Sequence, residues 1–250
     1  MTFTGLRAVL FDAGNTLLHL DYEFIGKLLA EHGQPRRPFD IRVAEYTARA
    51  TIDRQLAARS DGNGPPGHAV EDLLWPDAGA ARPSYFATIL HRLGLPWATA
   101  RPILDALQAH NADRCLWRVV EAETAAVLAE LRARGFTLAV ISNADGRVEG
   151  DLERAGLRRY FATVVDSHVV GVEKPDPAIF RLALDRLGAS PDDAVYIGDV
   201  FSIDVLGARG AGLRAVLVDT LGCYPSAIDC PRISRLGELL DLLPGRVSGA

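Results

Sequence analysis

Long apolar runs are missing from this 250-residue chain. No stretch approaches the roughly 18 consecutive apolar residues that a membrane-spanning helix needs, so no membrane partner is expected. Cysteine is scarce. Cys115, Cys223 and Cys230 form an odd set without Cys-x-x-Cys spacing, which argues against a disulfide scaffold or a structural zinc site. The six histidines are scattered, with no paired-ligand spacing. Basic residues are in deficit, 27 against 32 acidic, for a formal net charge of −5. Nucleic-acid binders usually carry the opposite surplus. The N-terminus, Met1 to Arg7, lacks a signal-peptide pattern and leads straight into an apolar run. These absences predict a reduced, cytoplasmic protein that binds neither membrane nor nucleic acid.

What is present is ordinary in bulk, 48% hydrophobic and 24% charged residues, as in soluble globular proteins. The informative feature is local. Three short apolar runs each end on a polar residue suited to phosphate chemistry. Ala8-Val9-Leu10-Phe11 ends on Asp12, Leu138-Ala139-Val140-Ile141 on Ser142, and Ala194-Val195-Tyr196-Ile197-Gly198 on Asp199. Each run is short and followed by a helical pattern, which reads as a central strand of a parallel sheet. Open α/β sheets bind ligands beyond the carboxyl ends of their strands. Three such strands would deliver Asp12, Ser142 and Asp199 to one edge.

The alternation of strand and helix stops after Asp12 for about a hundred residues. Helical spacing is read over 22–32, 39–59, 84–93 and 98–112, with a Gly- and Pro-rich loop over 60–67. From 120 onward the alternation resumes: helix 121–134, strand 137–142, helix 147–155, strand 162–166, helix 177–187, strand 194–198, helix 202–209, strand 214–218 and a last helix near 235–243. The expected fold is α/β. A three-layer Rossmann-like core of residues 1–18 and 115–250 is interrupted by an all-helical insert of residues 19–114.

Taken singly, the candidate residues are weak. Asp12 can shape a turn, Ser142 can cap a helix, Lys174 can be a solvated loop lysine, and Asp204 suits the first turn of a helix. Together they are stronger. Three carboxylates gathered at one edge resist ionisation together. A divalent cation relieves that conflict, and oxygen ligands suit Mg²⁺. Ser142 and Lys174 add donors for phosphate oxygens.

The order Asp12…Thr16, Ser142-Asn143, Lys174-Pro175 and Gly198-Asp199-x4-Asp204 resembles the four motifs of the haloacid dehalogenase-like hydrolase superfamily. The helical insert sits where that family carries a cap. The resemblance implies that Asp12 attacks phosphorus and forms an aspartyl-phosphate. It implies that Asp12, the Gly14 carbonyl and Asp199 hold Mg²⁺, with Asp204 ligating directly or through water. Ser142 would bind a phosphoryl oxygen, Lys174 would neutralise the nucleophile and the transferring group, and Thr16 and Asn143 would support the loop and the phosphate. The cap would exclude bulk solvent.

One position departs from the family's phosphatase pattern. The residue two after the nucleophile, an aspartate that serves as general acid and base there, is Gly14 here. Such a group is worth roughly 10²–10⁴-fold. Three readings follow. A Mg²⁺-dependent phosphatase of small phosphorylated metabolites would use a good leaving group, or an acid near the entry to the cap such as His19, Asp21 or Glu23. A 2-haloacid dehalogenase would need no acid, but members of that branch generally lack the acidic pair that Asp199 and Asp204 represent. A non-catalytic phosphate-binding relative would have lost turnover. The phosphatase is the favoured reading.

Gly207-Ala208-Arg209-Gly210-Ala211-Gly212 follows a helix and precedes a strand, the reverse of a dinucleotide fingerprint. It reads as helix termination. Arg36-Arg37 and Arg158-Arg159 read as solvated surface. Trp75, Tyr85, Phe86 and Trp97 read as cap core, although a dimer face is the other option, so the chain is expected to be a monomer or homodimer.

Overall fold

A computed structural model describes residues 3–60, 85–226 and 228–244. The chain divides into two compact units, residues 1–19 with 117–250, and residues 20–116. The first unit holds a six-stranded parallel sheet in the order β5-β4-β1-β6-β7-β8. Its strands are β1 (Ala8–Phe11), β4 (Thr137–Ser142), β5 (Thr163–Asp166), β6 (Ala194–Gly198), β7 (Arg214–Val218) and β8 (Arg232–Ile233). Two further short strands, β2 (His19–Leu20) and β3 (Trp117–Val119), pair with each other.

Alternation along the central strands builds two cores. Val9, Phe11, Leu138, Val140, Val195 and Ile197 point to one face, where α5 (Thr124–Ala133), α6 (Val148–Arg154) and α10 (Leu239–Leu242) supply Leu128, Leu152 and Leu239. Leu10, Ala139, Ile141 and Tyr196 point to the other, against Phe180 of α8 (Pro177–Leu187) and Ala208 of α9 (Leu206–Gly210). Because both faces are covered, the strands read as unbroken apolar runs. Burying each of the valine, leucine, isoleucine and phenylalanine side chains among them contributes about 1.5–3 kcal/mol. Register aligns Phe11 with Val140 on one side and Ile197 on the other, so Asp12, Ser142 and Asp199 leave the sheet at one edge. A short α7 (Ser167–Val170) follows β5.

The second unit contains α1 (Tyr22–Glu31), α2 (Pro38–Ser60), α3 (Tyr85–Arg92) and α4 (Trp97–Asp113). Its core includes Ile25, Leu29, Ile41, Leu90, Ile103 and Leu107. Phe86 is buried, and Tyr85 and Trp97 are half-buried; of the loop expected over 60–67, Ser60 instead ends α2, while residues 61–67 and Trp75 lie outside the described residues. Glu45, Arg49 and Asp53, at successive four-residue steps of α2, are also buried. Glu45 accepts the hydroxyls of Tyr22 at 3.1 Å and of Tyr85. Arg49 lies 4.1 Å above the Tyr46 ring.

Two expected helices differ in detail. Residues 202–209 begin as a π turn, Phe201–Val205, before α9, because Asp204 turns its carboxylate back onto the preceding amides. The last helix near 235–243 splits into a 3-10 turn, Leu236–Glu238, and the single turn of α10. Strands β2, β3 and β8 are too short to show a period in the sequence.

Candidate active site

The loop after β1 is tight. The amides of Leu17 and Leu18 both bond the Ala13 carbonyl at 2.9 Å, and the Asn15 amide bonds Leu18 at 2.7 Å. Asn15 occupies the left-handed region at φ 55°, which Asn tolerates better than most residues. The Trp117 indole holds it there, donating to its Oδ1 at 3.1 Å. Thr16 is buried, and its hydroxyl oxygen makes no hydrogen bond. The loop thereby returns the chain past Asp12, whose amide bonds the Ile197 carbonyl at 2.8 Å.

Asp12 meets Lys174, whose ammonium donates to Asp12 Oδ1 at 2.5 Å, Asp204 Oδ1 at 2.7 Å and the Tyr196 hydroxyl at 2.9 Å. Three protons meet three acceptors, so the ammonium is saturated. Its backbone is fixed as well. The Asn143 amide donates to the Lys174 carbonyl at 2.8 Å and accepts from the Lys174 amide at 2.7 Å. Loop support, rather than a side chain turned to a ligand, is the contact observed for Asn143.

Ser142 ends β4 opposite Asp166 of β5, and both are buried. The loop beyond Ser142 is tied to that neighbouring strand. Asp166 accepts the amides of Gly146 at 3.0 Å, Val148 at 3.3 Å and His168 at 3.0 Å, while Ser167 accepts from Ala144 at 3.1 Å.

Asp199 and Asp204 complete the cluster. Oxygens of Asp12, Asp199 and Asp204 lie within 4.8 Å of one another, all three residues buried. Asp204 Oδ2 takes the amides of Asp199 at 3.1 Å and Val200 at 2.9 Å. A Cβ at Gly198 would overlap the Asp204 carboxylate, so only glycine leaves it room.

The electrostatics follow from burial. Desolvation raises the Asp12 carboxyl to about 6, with Lys174 opposing and Asp204 adding to the rise. Burial pulls the Lys174 ammonium down, but Asp12 and Asp204 outweigh it and hold the group charged above its usual range. Burial and Asp204 push the Tyr196 hydroxyl up, so it stays protonated. Among the described residues, three buried carboxylates gather around the single Lys174 ammonium, which pairs with Asp12 and Asp204. That donor set fits a divalent cation with oxygen ligands.

Gly14 lies outside the left-handed region, and a Cβ there would sit 3.5 Å from the Trp117 ring. Among the candidate acids, His19 is buried and Glu23 is exposed. Asp21 caps α1 by accepting the Phe24 amide at 2.8 Å. Tyr196 escaped the sequence reading. Its signal was available: a tyrosine inside an otherwise apolar central strand must find a partner for its hydroxyl.

A parallel α/β core carries three buried carboxylates and a buried lysine at its carboxyl edge. The chain belongs to the haloacid dehalogenase-like hydrolase family, whose family model matches residues 6–212. It is 36% identical over 251 residues to haloacid dehalogenase-like hydrolase domain-containing protein 3 of Bos taurus, covering 96% of each chain. It is 34% identical over 189 residues to the phosphoserine phosphatase of Thermus thermophilus, covering 70% of this chain and 74% of that one. Among solved structures it resembles a 2-haloacid dehalogenase of Pseudomonas syringae, with a TM-score of 0.53, 25% identity, and coverage of 95% and 97%. The protein is therefore a hydrolase of this family.

Proposed function

We propose that the chain is a Mg²⁺-dependent phosphatase of small phosphorylated metabolites, with Asp12 as nucleophile and residues 19–114 as its cap. The observation that carries this reading is the buried Asp12–Lys174 contact beside Asp199 and Asp204. Asp12, Asp199 and the Gly14 carbonyl would hold the cation. Asp204, whose oxygens already take four donors, would reach it through water. When bound, the cation supplies charge neutralisation for the carboxylates and the phosphoryl oxygens.

The Asp12 carboxylate attacks phosphorus as the bond to the leaving oxygen breaks, the electron pair departing with that oxygen. Lys174 stays charged throughout and stabilises the negative charge on the transferring oxygens. Ser142 and Thr16 offer hydroxyls to those oxygens, and Asn143 keeps Lys174 aimed. Water then attacks the aspartyl-phosphate, the bond to Asp12 breaks, and the carboxylate and inorganic phosphate are released. The Thermus thermophilus relative, a phosphoserine phosphatase by name, supports the phosphate class.

Carbon–halogen hydrolysis is the second reading, favoured by Gly14, since halide leaves without a proton, and by the likeness to a 2-haloacid dehalogenase. Against it stands the buried acidic pair, which a halide displacement leaves without a task. A non-catalytic role would leave the Asp12–Lys174 pair unexplained. No helix among the described residues is long and apolar enough to cross a membrane, and a cytoplasmic setting is part of the proposal. The test is hydrolysis of an aryl phosphate with Mg²⁺ and after chelation, beside chloride release from a 2-haloacid. Metal-dependent phosphate release that Asp12→Asn abolishes is expected. Chloride release without metal would overturn the assignment.

A further inference from the structure

Outside the carboxylate cluster, a second buried hydroxyl reaches its backbone. Tyr224 lies between β7 and β8 and is 7% exposed. Its hydroxyl donates to the Asp199 carbonyl at 3.1 Å and accepts the Phe201 amide at 3.4 Å. From the other side, Asp204 takes the amides of Asp199 and Val200. The three-residue turn that carries Asp199 is therefore held from two directions through its own backbone. Tyr224 is itself anchored. Asp219 accepts the Tyr224 amide at 3.3 Å and the Cys223 amide at 2.8 Å, and Arg232 donates to the Tyr224 carbonyl at 3.1 Å.

We infer that Tyr224 is a positioning residue that presets Asp199 for the divalent cation, an inference that rests on the metal reading above. Tyr224 touches neither substrate nor reacting atoms in this role. A turn fixed in advance holds the Asp199 carboxylate where the ion needs it. A loosened turn must be ordered when the ion arrives, which lowers affinity without altering the assembled site. Groups that orient metal ligands typically change affinity by roughly 10–100-fold when removed. An indirect hold through the backbone belongs at the low end of that range.

The test compares the full chain with Tyr224→Phe and Asp219→Asn. Calorimetric titration of the metal-free proteins with Mg²⁺ gives affinity, and aryl phosphate hydrolysis gives kcat at saturating Mg²⁺. Tyr224→Phe should bind Mg²⁺ about tenfold more weakly. Its kcat at saturation should stay within about twofold of the parent, since transition-state contacts are untouched. Asp219→Asn keeps the hydroxyl but loosens its loop, so it should weaken binding less, and it decides the matter if Tyr224→Phe does not fold. Unchanged Mg²⁺ affinity in Tyr224→Phe overturns the inference while leaving the metal reading intact. A kcat deficit that saturating Mg²⁺ does not restore also overturns it, because Tyr224 would then support the site in general. A parent protein that binds no Mg²⁺ removes both readings together.

Discussion

The side-chain amide of Asn143 closes a two-bond ring on the backbone of Lys174, 31 residues away in the chain. That ring and the three acceptors around the ammonium leave Lys174 little freedom. Replacing Asn143 with alanine removes one donor and one acceptor from a partly buried contact, for a stability loss of about 1–3 kcal/mol. The larger effect should be on chemistry. Small misplacement of an aligned group costs up to about 10²-fold, so kcat for aryl phosphate hydrolysis should drop by one to two orders of magnitude while Mg²⁺ affinity changes little. Denaturant unfolding and steady-state kinetics separate the two effects.

Gly198 yields a sharper structural prediction. The Asp204 carboxylate fills the volume that a Cβ at position 198 would take, and the strand there is fully buried. Gly198→Ala must push Asp204 away from Lys174, Tyr196 and the two amides it accepts. Overpacking of this kind costs about 1–3 kcal/mol, and displacement of Asp204 also leaves Lys174 short of an acceptor. Both thermal stability and Mg²⁺ binding should fall. A variant that unfolds and binds Mg²⁺ as the parent does would sink this account of the motif glycine.

The sheet and its chemical edge were legible because they rest on local patterns. The apolar runs ending at Phe11, Ile141 and Gly198 are buried on both faces, and such burial writes itself into consecutive residues. The helix expected over 177–187 matches Pro177–Leu187 because Asp176, Pro177 and Gly188 mark its ends. The parts that stayed hidden depend on contacts across the chain. Tyr224 reaches Asp199 over 25 residues and Tyr196 reaches Lys174 over 22, separations that leave no periodic trace. In α2 the apolar residues Ile41, Ala44 and Ala48 are only part of what is buried. Glu45 and Arg49 turn inward too, because tyrosine hydroxyls and an aromatic face receive them.

Metal binding should compete with protons at Asp12. Its carboxyl is raised to about 6 by burial, whereas the unfolded chain should titrate near the ordinary value of about 3.9. Between those values the folded, metal-free protein binds more protons than the unfolded one, so this group's contribution to stability falls as pH rises from about 4 to about 6. A ligand must lose its proton before it binds, so Mg²⁺ affinity should weaken as pH drops below about 6. Calorimetry in two buffers of different ionisation enthalpy should show about half a proton released per ion at pH 6 and almost none at pH 8. Equal proton release at both values would contradict the assignment of Asp12 as a ligand.

Gly14 admits a direct experiment on the missing acid. A Cβ there would touch the Trp117 ring at 3.5 Å, an ordinary contact, and the backbone lies outside the left-handed region. Gly14→Asp should therefore fold. It should also place a carboxyl two residues from Asp12, the proposed nucleophile. The carboxylates already gathered at this edge disfavour ionisation of the new carboxyl, which suits a group meant to carry a proton to the leaving oxygen. For an alkyl phosphate, whose alkoxide leaves poorly, kcat/KM should rise by roughly 10²-fold or more. An aryl phosphate needs little protonation and should gain far less. That contrast, measured as the ratio of kcat/KM values for the two substrates, isolates acid catalysis from any general change in the site. If the ratio does not move, the native enzyme already draws its proton from another group, and the glycine at position 14 is no handicap to it.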